Sequence, residues 1–154
     1  MARVTDPLAL MGAGITARDG DRLPVTITGS ETPLAADHTS KVASAQIKSA
    51  VLLAALNARG TSIVREPTAS RDHTEAMLKH FGATVRSRTD DDGTHVVELE
   101  GEATLFARDI IVPRDPSSAA FPLVAALITE GSDLTIPAAV SYTHLRAHET
   151  YDHR

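Results

Sequence analysis

Cysteine and tryptophan are absent from the 154 residues, and the aromatic set is only Phe81, Phe106, Phe121, Tyr142 and Tyr151. Lack of cysteine excludes disulfides, thiolate zinc sites, iron–sulfur clusters and a cysteine nucleophile. So few aromatics disfavour stacking platforms for nucleic acid and leave Ala, Val, Leu and Ile to build the core. Long apolar runs are missing too. Residues 50–56 and 119–128 are the longest, far short of the roughly 20 that a membrane span needs. No charged start followed by an apolar segment marks a signal peptide. Nor is there an excess of basic charge: 15 Lys and Arg face 20 Asp and Glu, a formal net charge of −5. General attraction to nucleic acid or anionic membrane is therefore not expected, although a local anion site stays open. What remains, 42% hydrophobic and 23% charged residues, is ordinary for a globular chain long enough for one domain.

An internal repeat organises the chain. Residues 44–64 read SAQIKSAVLLAALNARGTSIV, and 115–135 read DPSSAAFPLVAALITEGSDLT. With Gly60 placed on Gly131, Leu52, Ala54, Ala55 and Leu56 fall on Leu123, Ala125, Ala126 and Leu127, 71 residues later. Met11-Gly12-Ala13 matches Phe81-Gly82-Ala83 at nearly the same offset, and Val25 to Gly29 matches Val97 to Gly101. Two matches in one order indicate a repeated unit. Periodicity predicts a buried helix over 44–58 stopped by Gly60, a strand over 61–66 ended by Pro67, and a helix over 70–81 stopped by Gly82. Strands over 83–87 and 94–100 follow, joined at Asp91-Asp92-Gly93, and a further strand over 109–112.

The fold class is thus α/β (α+β), an α-β-α-β-β-β unit, or β-α-β-α-β-β with its origin shifted, present once whole and twice in part. The first copy opens inside its second helix, near 4–11. The third, from Pro113, is cut after a helix and a strand. Open repeat faces are left unburied by such an arrangement, so a fragment of a longer protein is expected. Residues 1–136 form the partial domain. Residues 137–154, PAAVSYTHLRAHETYDHR, break the pattern and read as a non-native tail, expected to be disordered. Its His144 and His148 share a helical face, as a metal pair would, but lack the H-E-x-x-H arrangement. No metal site is predicted.

Three helix starts carry the chemistry: Ser44-Ala45-Gln46, Ser70-Arg71-Asp72 and Asp115-Pro116-Ser117-Ser118. Ser and Asp at such places cap orphan backbone N–H groups. The same open N–H groups and the helix dipole hold phosphate, and small residues let it approach. Gln46 donates and accepts, and Arg71 adds a bidentate cation. Asp72, His73 and Glu75 resemble an acid–base cluster, yet two-residue spacing keeps His73 and Glu75 from facing each other. Capping or surface roles are expected for all three. Lys48, on the apolar helix, reads as a snorkelling stem. Asp90-Asp91-Asp92 reads as a solvated hairpin tip.

The segments GDRLPVTITG, SAQIKSAVLLAAL, SRDHTEAMLKHFGA and DPSSAAFPLVAALITEGSDLTI resemble the 5-enolpyruvylshikimate-3-phosphate (EPSP) synthases, or 3-phosphoshikimate 1-carboxyvinyltransferases. The wording of SAQ and RDHTE is nearest the bacterial subgroup with glyphosate-tolerant members. The resemblance runs from Met1 to Ile136 and implies the inside-out α/β fold of the enolpyruvyl transferases. It also implies transfer of the enolpyruvyl group of phosphoenolpyruvate to the 5-hydroxyl of shikimate 3-phosphate, in aromatic amino-acid synthesis. By the same resemblance Ser44, Ala45, Gln46, Ser70 and Arg71 hold shikimate 3-phosphate, with Gln46 also near phosphoenolpyruvate. It implies a cytoplasmic, usually monomeric enzyme without cofactor, binding neither nucleic acid nor membrane. The family's acid–base residues match nothing in these segments, so no catalytic acid or base is assigned and the isolated chain is expected to be inactive. The sister transferase acting on UDP-N-acetylglucosamine and a non-catalytic repeat module are the alternative readings.

Overall fold

The computed structural model describes residues 2–20, 22–112 and 115–137. The chain divides into two compact units, residues 1–108 and 109–154. The first holds α1 (Ala2–Leu10), β1 (Gly14–Arg18), β2 (Arg22–Thr28), β3 (Asp37–Thr39), α2 (Ala45–Ala55), β4 (Thr61–Glu66), α3 (His73–His80), β5 (Val85–Thr89) and β6 (His95–Glu100). The second holds α4 (Pro116–Leu127).

Strands β1 and β2 form an antiparallel hairpin with Ile15 opposite Ile27. The other four form one sheet in the order β3-β4-β6-β5. The β3–β4 pair is parallel, with His38 opposite Val64, because α2 carries the chain back between them. Strand β6 runs antiparallel to both neighbours, Val97 lying opposite Val64 and Ser87. The sequence β3-α2-β4-α3-β5-β6 is the complete unit that the repeat predicts. The succession α1-β1-β2 repeats its second half, α3-β5-β6, which accounts for the matches at Gly12/Gly82 and Gly29/Gly101.

Local chemistry sets the boundaries. Ser44 caps α2, its Oγ accepting the Ile47 N–H at 3.5 Å. Gly60 then turns the chain with φ 91°, a value that side chains resist. In β4 alternation points Ser62, Val64 and Glu66 inward. The core joins Val51, Leu52 and Ala55 of α2 to Val64, Leu78, Val85, Val97 and Leu99, without an aromatic ring. Each such Val or Leu contributes about 1.5–3 kcal/mol on burial.

Helix α2 stops at Ala55, short of the expected 58, and β5 spans Val85–Thr89 where 83–87 was expected. Three further expectations are not met. Helix α3 starts at His73, with Asp72 as its cap residue, and not at Ser70. Ser70 is bonded elsewhere, through its hydroxyl and its carbonyl, and so lies outside the helix. Residues 109–112 form no strand. No described strand pairs with them, and Ile111 is 92% exposed, so nothing repays ordering them. Residues 132–136 form none either. The tail from 138 onward, including His144 and His148, lies outside the described residues.

Helix α4 shares the pattern of α2 but not its burial. Phe121, Leu127 and Ile128 are about four-fifths exposed (82%, 77% and 80%). Its first turn is well made. Asp115 accepts the Ser117 and Ser118 N–H groups at 3.0 and 3.2 Å and the Ser118 hydroxyl at 2.8 Å.

Two predictions follow from these contacts. A Cβ on Gly101 would lie 1.8 Å from the Ala58 carbonyl oxygen and 2.8 Å from that of Ala55. Gly101→Ala should therefore cost at least about 2 kcal/mol in urea unfolding. Gly29→Ala, with nothing within 4 Å, should stay within about 0.5 kcal/mol. Equal effects would disprove the close approach. The Ser118 hydroxyl, then the Ser117 N–H, hold the Asp115 carboxyl below its ordinary value of 3.8. A depressed folded value means that the cap is intact above the ordinary value and is lost as pH falls through the lowered one. Cα chemical shifts of residues 117–120 should report helix down to that lowered value and fraying below it.

Candidate functional site

The inward face of β4 ends on a carboxylate. Glu66 is 1% exposed, and Pro67 ends the strand just beyond it. Its Oε1 accepts the backbone N–H of Ser44 at 2.8 Å, at the start of α2. The Ser70 hydroxyl lies 3.0 Å from Oε1 and 2.8 Å from Oε2, donating to this carboxylate. Lys48 Nζ stands 3.3 Å from Glu66 Oε2 and 2.7 Å from Glu75 Oε1. It also donates to the Ser70 carbonyl at 3.5 Å. The Glu75 contact is an ion pair by distance, although neither Glu75 oxygen is aligned for a hydrogen bond among the described residues. One ammonium and two carboxylates thus sit where α2, β4 and α3 meet.

This placement corrects two expectations. Lys48 does not snorkel: it is 0% exposed, because two carboxylates inside the fold replace the water its ammonium would otherwise seek. Glu75 lies in the first turn of α3, as expected of an acid that favours the helix dipole, but it is not a surface residue: it is a buried partner of Lys48. Asp72 and His73 are exposed, so the three residues of the apparent acid–base cluster point into different surroundings.

In front of the buried charges lies an open cleft of about 400 Å³ lined by Ala45, Gln46, Ser49, Arg71, His73 and Thr74. It brings together Ala45, Gln46 and Arg71 of the five candidate residues. Ser44 and Ser70 are half-buried and engaged behind it, one as the helix cap, the other with its hydroxyl turned to Glu66. The sequence reading passed over Ser49 and Thr74, whose hydroxyls meet at 2.6 Å and tie α2 to α3. Ser49 lies four residues after Ala45, hence on the same helical face, which was the available signal. The cleft wall therefore offers the first N–H groups of α2, a carboxamide, hydroxyls, an imidazole and a guanidinium. That set suits an anion with several oxygens. Among the described residues no three His, Asp or Glu side chains cluster as a metal site. No described helix is long and apolar enough to cross a membrane.

Lys48→Met should leave two buried carboxylates uncompensated and cost roughly 3–5 kcal/mol in urea unfolding. Arg59→Ala removes only an exposed pair with Glu102. It should cost less than about 1 kcal/mol. A tolerated Lys48→Met would show that the buried cluster carries no such constraint.

Known proteins share the sequence and fold of this chain. The EPSP synthase (3-phosphoshikimate 1-carboxyvinyltransferase) family model matches residues 1–152, beyond Ile136. The 3-phosphoshikimate 1-carboxyvinyltransferase of Granulibacter bethesdensis is 55% identical over 147 residues, covering 95% of this chain and 32% of that protein. That of Nitrobacter hamburgensis is 57% identical over 139 residues, 88% of this chain and 30% of the relative. The EPSP synthase structure from Acinetobacter baumannii superposes with a TM-score of 0.70 at 42% identity, over 90% of this chain and 30% of its own. The chain spans about a third of the length of the curated relatives it matches. With a family match along almost its whole length and the repeat unit in place, the chain belongs to the EPSP synthase family.

Proposed function

We propose that the chain supplies one wall of the substrate cleft of an enzyme that transfers the enolpyruvyl group of phosphoenolpyruvate to the 5-hydroxyl of shikimate 3-phosphate. The observation that carries this reading is the convergence of the α2 start, Gln46 and Arg71 on one open cleft. A phosphate monoester needs fixed donors and a cation. The Ala45 and Gln46 N–H groups supply the first, together with the positive end of the α2 dipole. Arg71 supplies the second in bidentate form. Ser44 and Ser70 complete the shikimate 3-phosphate site as its frame, and the Gln46 carboxamide reaches the enolpyruvyl donor.

In the reaction C3 of the enol takes a proton and the 5-hydroxyl oxygen adds to C2 while losing its own proton; C3 then gives up a proton and the C2–O bond to phosphate breaks, so that the C2=C3 double bond of the enol ether forms as phosphate leaves. The residues of this chain bind and orient the phosphate-bearing substrate, so that its 5-hydroxyl meets C2 at a fixed distance. None of the described residues is assigned as the acid or the base. The same reading makes the complete enzyme cytoplasmic, monomeric and free of cofactors, and the isolated chain inactive. It takes residues 137–154 as a segment outside the working domain.

Titration of the 154-residue chain with shikimate 3-phosphate, followed by ¹⁵N NMR, should shift the Ala45 and Gln46 amides and the Arg71 side chain together. Shikimate without phosphate should not. Arg71→Ala should weaken binding at least about tenfold. Equal responses to both ligands, or turnover by the chain alone, would contradict the reading.

A further inference from the structure

We infer that Glu66 is a positioning residue of the anion cleft, one that touches no substrate but sets the distance between its two donor groups. This rests on the cleft reading above. One donor group is the start of α2, at Ala45 and Gln46. The other is Arg71, in the segment before α3. No regular hydrogen-bonding ladder joins these two segments. The Glu66 carboxylate joins them instead: it takes the Ser44 N–H at 2.8 Å on one side and the Ser70 hydroxyl at 2.8 Å on the other. Ser44 and Ser70 are the residues immediately before Ala45 and Arg71. Both bonds end on one buried group at the rigid end of a central strand, so each donor lies one residue from a fixed point. Lys48 holds the carboxylate in turn, and its own bond to the Ser70 carbonyl closes the ring. Charge-assisted bonds in a buried site are the strong ones, and their geometry is little relaxed by solvent.

The arrangement also explains why the Ser70 hydroxyl stands behind the cleft. Its proton is given to Glu66, so it orders the chain at Arg71 and offers no donor to a ligand. The spacing of the two donor groups thus depends on a residue buried beneath the cleft.

The test is shikimate 3-phosphate binding by ¹⁵N NMR in the 154-residue chain and three variants, each held well below its own melting temperature. In the parent, the Ala45 and Gln46 amides and the Arg71 side chain should give one shared dissociation constant. Glu66→Ala should weaken it about tenfold. Val64→Ala, a buried truncation on the same strand, should lose stability yet keep affinity within about twofold. Glu66→Gln, which keeps the length and one acceptor oxygen, should lose about threefold, and it decides the matter if Glu66→Ala does not fold. Unchanged affinity in the folded Glu66 variants, or an equal loss in Val64→Ala, overturns the positioning role alone. Absence of any shift in the parent overturns the cleft reading and this inference with it.

Discussion

A lysine ammonium shut inside the protein against two glutamates joins α2, β4 and α3 at one point of this fold. Taking Lys48, Glu66 and Glu75 out of water costs several kcal/mol per ion, which their mutual attraction offsets only if the geometry is held. The core that holds it is made of Val, Leu and Ala, whose packing is non-directional. Aliphatic packing alone would let α2 slide or rotate against β4 and α3 at modest cost. The charge cluster forbids this, because any displacement strands a buried carboxylate. The cluster thus gives the unit its register and leaves stability to the aliphatic core.

That division explains what could be read from the residues. The repeat, the order α2-β4-α3-β5-β6, the start of α2 and both ends of β4 are local properties: Ala and Leu enrichment, a Ser cap, a positive-φ glycine and β-branched alternation. They were legible. The start of α3 was not, because Ser70 has the look of a cap and is drawn out of the helix by Glu66 and Lys48, which lie 4 and 22 residues before it. The fate of Lys48 was illegible for the same reason. Nothing around it in sequence shows that Glu66 and Glu75 will converge on it, and an isolated lysine on an apolar helix ordinarily reaches for solvent. At the candidate site, the small residues and Arg71 stood out by type. Ser49 and Thr74 did not, since their bond exists only once α2 and α3 lie side by side.

The two copies of the repeat helix sharpen the point. Helices α2 and α4 share the Leu-x-Ala-Ala-Leu pattern, but α2 is buried and α4 presents Phe121, Leu127 and Ile128 to solvent. An apolar pattern specifies what a helix can bury, whereas the neighbouring strands decide whether it does. For α2 those neighbours are β4 and β6, both in the same unit. The second unit, which holds α4, contains no described strand of its own. In a repeat architecture each unit relies on the next, so identical sequence cues yield different burial at different places in the array.

The charged hub bears on chemistry as well as on packing. A site for a doubly charged phosphate cannot be assembled from flexible cations without losing the entropy of ordering them at each binding event. In the site proposed above the ordering is done during folding. The Ser44 N–H and the Ser70 hydroxyl are already bonded to Glu66, so the helix start and Arg71 face the cleft before any ligand arrives. Three apolar side chains of similar volume would fill the space as well at a lower cost of burial, but they would accept neither hydrogen bond. The buried charges are therefore better understood as the inner frame of the cleft than as a source of stability, with the open row of Ala45, Gln46 and Arg71 as its proposed working face.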